Sequence, residues 1–153
     1  MMKDAGVRIT LRKIPELITL PAIPHFVSHE TFTQNPSLRA SGEFLDTFFG
    51  IKESVGALSV ARYKTAEHVF AESVFLELGG KDKAVISLAH LYEFLRIAPR
   101  FCEFFLFFVK DRGGQIWCVD AYWFRGYWNI DTKAMRVTAI DPIHWVVTPV
   151  SCE

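Results

Sequence analysis

The sequence predicts an α+β fold in which a mainly antiparallel sheet carries helices packed on one face. Three observations carry that prediction. The stretch "FFLFFVKDRGGQIWCVDAYWF", Phe104 to Phe124, sets two ring-rich apolar segments on either side of a glycine turn, the pattern of an antiparallel hairpin. Upstream, "ISLAHLYEFLR" repeats Leu88, Leu91, Tyr92 and Leu95 at i, i+3, i+4 and i+7, the single stripe of a helix that lies on a surface. Beyond the hairpin, glycine and proline signals such as Arg125-Gly126 and Asp141-Pro142 divide the chain into short extended pieces. A chain of 153 residues, 50% apolar and 22% charged, has the composition of a globular protein that closes its own core. One domain over 1–153 is expected, with 86–150 as its central module.

Taken in order, "VRITLRK" alternates Val7, Ile9 and Leu11 with Arg8, Thr10 and Arg12, as in a strand with one wet face. Pro15, Pro21 and Pro24 each remove a backbone donor, so the path to about His25 is irregular or at an edge. "HFVSHETFT" reads as a strand that resumes before the Asn35-Pro36 turn. In "SGEFLDTFFG" Ser41 can cap a short helix that buries Phe44, Leu45, Phe48 and Phe49 and stops at Gly50. "GALSVARY" follows as a strand, and Thr65 to Leu78 as a buried helix ended by Gly79-Gly80. Ser87 caps the Leu88 helix and Pro99 breaks it. "KDRGGQ" supplies the hairpin turn, Arg125-Gly126 a second tight turn, Asp131-Thr132-Lys133 a third before "MRVTAI", and Asp141-Pro142 a fourth before "HWVVTPV".

The period of two has a consequence for the aromatic strand. Trp117, Val119, Ala121 and Trp123 point to one side, and Ile116, Cys118, Asp120, Tyr122 and Phe124 to the other, so rings stand on both faces. One face can pack on the Leu88 helix. The other needs a second layer, from the amino-terminal half or from a partner, because a continuous exposed aromatic patch invites aggregation.

Charge narrows the partners. Lysines plus arginines number 17, and so do aspartates plus glutamates, which leaves no net field to draw a polyanion or an anionic membrane. Around the rings, Lys110, Arg112 and Arg125 are matched by Glu103, Asp111 and Asp120, so nucleic acid is an unlikely partner. Neutrality also removes charge protection against self-association, which favours a homo-oligomer or a protein partner. The amino-terminal stretch has charges scattered among its apolar residues and no leader-like apolar run, and "FFLFFV" falls far short of the ~18–20 residues of a membrane span. A soluble protein with no membrane partner is expected. Cys102, Cys118 and Cys152 are irregularly spaced and odd in number, which suits a reducing cytoplasm better than a disulfide framework.

Candidate chemistry is sparse. His25 and His29 have a metal-chelating interval only on a helix, and in an extended segment they stand about 13 Å apart, so no metal site is expected. His68 with Glu72 and His90 with Glu93 read as solvated helix neighbours. Asp120, in an apolar strand, needs a cation such as Arg125, Arg112 or Lys110, and Cys118 has no histidine placed to activate it. "ELGGKDK" lacks the spacing of a phosphate loop, and no cofactor motif is present. No acid, base and nucleophile converge, so a non-catalytic binding or protein-interaction role is expected, with an enzyme of unrecognised type as the alternative. Ring area and arginine favour Trp117, Trp123, Arg125 and Trp128 as a binding patch. A neutral ligand or a single strand of nucleic acid stacked on that aromatic face is the third reading.

One run of residues carries a resemblance. Ile86-Ser87-Leu88 with Leu91, Tyr92 and Leu95, then Phe108-Val109-Lys110-Asp111, a glycine turn, Ile116-Trp117 with Val119 and Trp123, Gly126 and Trp128, and finally Pro142 and Trp145 form a series. Over Ile86 to about Val147 it resembles a group of small, uncharacterised proteins predicted from uncultivated bacteria. That resemblance implies a helix-plus-hairpin module in a bacterial protein, and it carries no activity. The chain departs from the group around Asp131 to Ala134 and in the "VTPVSCE" tail.

Overall fold

A computed structural model describes residues 10–98 and 103–150 of the chain. In chain order the first half comprises β1 (Leu11–Lys13), β2 (Ile18–Leu20), β3 (Ile23–Val27), α1 (Ser28–Gln34), β4 (Leu38–Ala40), α2 (Gly42–Thr47), β5 (Lys52–Val55) and β6 (Leu58–Thr65). The second comprises β7 (Val69–Phe70), α3 (Ala71–Glu77), α4 (Leu88–Ile97), β8 (Phe104–Lys110), β9 (Ile116–Phe124), β10 (Tyr127–Ala134), β11 (Ala139–Ile140) and β12 (His144–Pro149). The fold is α+β: a mixed, mainly antiparallel sheet runs β1-β6-β12-β8-β9-β10-β4, and β2 follows β1 along the same edge of β6. Pro15 falls between those two edge strands, where its missing donor breaks no ladder. Positions 7 and 9 of the expected first strand lie outside the described residues.

The aromatic hairpin forms as its alternation requires, with Phe104 opposite Tyr122 and Lys110 opposite Ile116. Asp111 builds its turn. One carboxylate oxygen, Oδ1, accepts the N–H groups of Gly113 and Gln115 at 2.9 Å each, and Oδ2 accepts Trp117 Nε1 at 2.9 Å. Gly114 sits at φ +93°, a conformation that a side chain would strain. Burial raises the Asp111 pKa, but the bonds from Trp117 and from the Gln115, Gly113 and Gly114 amides outweigh it, so the group titrates below its ordinary 3.8. Because the folded value is the lower one, this stabilisation is complete above pH 3.8 and disappears as pH falls through the folded value. Asp111→Ala is expected to cost about 1–2 kcal/mol at neutral pH and less at pH ~3, below the ordinary value of 3.8. Urea midpoints of the two proteins at both pH values check this, and equal gaps at both would contradict it.

Arg125 (φ 57°) and Gly126 (φ 90°) make a tight turn between β9 and β10 with both central residues left-handed, the geometry that matches strand twist. The turn expected at Asp131-Lys133 does not occur. There β10 stays paired with β9 as far as Ala134 opposite Trp117, because Ile130 and Thr132 are buried while Asp131 and Lys133 alternate to the other face. The chain reverses only at the 3-10 turn Met135–Val137.

Two layers cover the sheet. On the first face α4 lays down Leu88, Leu91, Phe94 and Leu95, all at most 1% exposed, and Phe94 meets Phe105 and Phe107 edge-on at 5.0 and 5.6 Å. Ser87 caps α4 by accepting His90 N–H at 3.0 Å, and Ser41 caps α2 by accepting Phe44 N–H at 3.1 Å. Helix α1 adds Phe32, whose ring lies 4.9 Å from that of Phe44, so the strand expected through "SHETFT" is a helix from Ser28 onward. Packing of Phe32 into the cluster decides a segment in which local preference is weak. Helix α3 lies on the second face, where Phe75 packs on Phe108 at 5.0 Å over a cluster that includes Leu106, Cys118 and Val146. It starts only at Ala71, because Val69–Phe70 pair with Ala139–Ile140, and His68 is therefore not on a helix with Glu72. Nor is His90 solvated: it is 4% exposed and bonds Ser87 Oγ at 3.0 Å and the Gly56 carbonyl at 2.8 Å. Among the described residues, no helix is long and apolar enough to cross a membrane.

Candidate functional site

Among the described residues, the second layer covers only part of its face. Strand register places His144 beside Phe104, Phe104 beside Tyr122, Tyr122 beside Asn129 and Asn129 beside Arg39. Directly paired residues project to the same side, so these five side chains form one row across β12, β8, β9, β10 and β4. The row is ring-rich at one end. Phe104 and Tyr122 stack at 5.1 Å with planes 27° apart, the His144 ring stands edge-on to Phe104 at 5.9 Å, and Phe124, two positions beyond Tyr122, is 52% exposed. A half-open hollow of ≈ 340 Å³ is lined by Phe104, Tyr122, Trp123 and Phe124.

Past Tyr122 the surface turns polar and forms a second cleft of ≈ 380 Å³ whose walls include Arg39, Asp120, Asn129, Asp131 and Lys133. Tyr122 borders both hollows. The Arg39 guanidinium lies 4.2 Å over the Tyr127 ring. Asp120 and Asp131 are direct cross-strand partners, an arrangement of like charges that costs stability unless a cation intervenes. Lys133 intervenes, with Nζ 3.2 Å from Asp120 Oδ2. The negative charge of Asp120 is the main cause that raises the Lys133 pKa above 10.5, against partial burial and with help from Asp131, so Lys133 is held cationic. Asp131 Oδ1 accepts Ser41 Oγ at 2.7 Å and Thr132 N–H at 2.8 Å. Asp120 Oδ1 is buried with no donor among the described residues, an uncompensated cost in the middle of a sheet.

The four residues favoured as a patch on ring area and arginine are distributed differently. Trp117, Trp123 and Trp128 belong to the first face, packed on the helix side. Trp128 is 1% exposed, donates Nε1 to the Leu95 carbonyl at 2.9 Å and meets Trp123 edge-on at 5.6 Å. Trp117 sits six positions from Trp123, about 20 Å along the strand, tied to Asp111. Arg125 lies in the turn, 5.2 Å from the Phe124 ring on the second face. Trp123 and Trp128 thus come together, and Trp123 also lines the hollow beside Phe124, while Trp117 and Arg125 stand apart from them. Strand alternation does place Asp120, Tyr122 and Phe124 on one face, but sequence reasoning passes over Phe104, Asn129, Arg39 and Lys133, and parity along β10 is the signal available for Asn129 and Lys133.

Other titratable groups are dispersed. His68 Nδ1 pairs with Asp141 Oδ1 at the surface, and the Asp141 N–H donates to His144 Nδ1 at 3.0 Å. His25 is on β3 and His29 on α1, its ring 5.2 Å from Phe49. Among the described residues, no three His, Cys, Asp or Glu side chains gather as a metal site would need. Burial drives the Cys118 pKa up to about 12, which keeps it a thiol. The fold and this face define a class: an α+β protein with a partly uncovered sheet surface, aromatic at one end and polar with balanced charge at the other. Comparisons with protein-family models, curated proteins and solved structures find no match to this chain.

Proposed function

We propose that the protein is a non-catalytic binding protein whose ligand lies on the uncovered half of the second face. The observation that carries this reading is the row His144-Phe104-Tyr122-Asn129-Arg39, which offers stacked rings and polar groups side by side where the covering layer stops. Central strands of a sheet are usually made stable by apolar or β-branched residues. Asp120, Asp131 and Lys133 there forgo stability, and such local departures mark functional surfaces. Chemistry is a poor fit: a lysine held cationic is neither base nor nucleophile, and a buried thiol near pKa 12 is not a thiolate at neutral pH. Arg39 and Lys133 against Asp120 and Asp131 leave no positive excess for a phosphate backbone. A reducing cytoplasm agrees with the buried free thiol of Cys118.

Amide chemical shifts of the isotope-labelled protein, read against a panel of small ring-bearing molecules, test the proposal. Perturbations are expected to gather on Phe104, Tyr122, Phe124 and Asn129 and to vanish in Tyr122→Ala. Binding that leaves these amides unmoved, or that survives Tyr122→Ala at full strength, would refute it.

A further inference from the structure

We infer that the ligand is a net-neutral zwitterion with a flat apolar ring, of the chemical class of an aromatic amino acid; this rests on the binding reading above. The ring end follows from the hollow lined by Phe104, Tyr122, Trp123 and Phe124, where side chains such as the stacked Phe104 and Tyr122 present faces and edges to another ring. The polar end follows from which charges are already engaged. Lys133 and Asp120 pair with each other at 3.2 Å. Arg39 has no carboxylate within ion-pair distance among the described residues, and its fork of donors matches a ligand carboxylate. Asp131 uses Oδ1 for Ser41 and Thr132, while Oδ2 has no donor among the described residues and can accept an ammonium. One positive and one negative group therefore remain to be met, on neighbouring strands, by a ligand carrying one of each.

Dimensions agree. Two strand spacings, about 10 Å, separate Tyr122 from Arg39, a span that one aromatic amino acid and the Arg39 side chain cover together. A ligand with a net charge would leave unmatched charge in the cleft.

Isothermal titration with L-tryptophan, tryptamine and indole-3-propionate distinguishes the charge requirements while holding the ring constant. L-Tryptophan is expected to bind about tenfold or more tightly than either single-charge analogue. Arg39→Gln, an exposed substitution, should weaken L-tryptophan about tenfold and leave tryptamine unchanged, which shows that the carboxylate is read by that side chain. Tryptamine or indole-3-propionate binding as well as L-tryptophan, or Arg39→Gln without effect on L-tryptophan, would overturn the inference. If all three fail to bind while another ring compound perturbs the Tyr122 row, the ligand class falls and the binding role stands; if nothing perturbs that row, both fall.

Discussion

Trp128→Ala is expected to cost about 3–5 kcal/mol, a large share of the about 5–15 kcal/mol that holds a domain folded. The indole is 1% exposed, with Phe105 at 5.9 Å and Trp123 at 5.6 Å, and its removal opens a cavity where β9 and β10 meet α4. It also ends the bond from Nε1 to the Leu95 carbonyl, one of the carbonyls that a helix leaves unpaired in its last turn. Trp128→Phe separates the two contributions, since it retains most of the ring volume but strands that carbonyl, and should cost about 1–3 kcal/mol. Trp123→Ala, at a partly exposed position, should cost less than Trp128→Ala and leave the fold intact. Urea unfolding followed by circular dichroism gives all three numbers. A Trp128→Ala midpoint close to that of the parent would contradict the placement of this ring between sheet and helix.

The same ring shows how far the sequence can be read. Parity puts Trp117 and Trp123 on one side of their strand, and the Leu88 stripe demands a surface; both features are local, and the structure joins them on the first face. Caps at Ser41 and Ser87 and the glycine turn are legible for the same reason, since each depends on residues a few positions apart. The parallel pairings of β10 with β4 and of β12 with β8 are not, because nothing near Leu38–Ala40 announces a partner some ninety residues away. That non-local contact is what brings Arg39 and Ser41 to Asn129 and Asp131, so half of the candidate site is invisible in the sequence. Asp131-Thr132-Lys133 has the composition of a turn, and only the burial of Ile130 and Thr132 by sheet packing reveals a strand. Asp120 is recognisable as a buried acid in need of a cation, but its partner comes from that turn-like segment and not from the hairpin arginines or Lys110. Rings occupy both faces, as alternation demands, and Phe104, Tyr122 and Phe124 of the second face border the open hollow together with Trp123.

Lys133→Met is expected to destabilise the protein by about 2 kcal/mol, less than the full cost of breaking a buried pair because the lysine is 53% exposed and water screens part of the interaction. The substitution leaves the Asp120 carboxylate, 17% exposed, opposite Asp131 with no cation between them and with Oδ1 already lacking a donor. The double variant Asp120→Leu/Lys133→Met should recover that loss and exceed the parent by about 1 kcal/mol, since an apolar pair of similar volume removes the desolvation cost along with the repulsion. Urea unfolding of the parent, both single variants and the double variant forms a cycle whose coupling term isolates the pair. The attraction raises the Lys133 pKa in the folded protein, so its contribution is complete below pH 10.5 and fades as pH rises through the folded value; the coupling should follow it. A double variant more stable than the parent would show that the pair costs the sheet stability, as the proposed binding face leads one to expect. A double variant well below the parent would make the pair part of the scaffold, and the proposed binding role would then rest on the row His144-Phe104-Tyr122-Asn129-Arg39 alone.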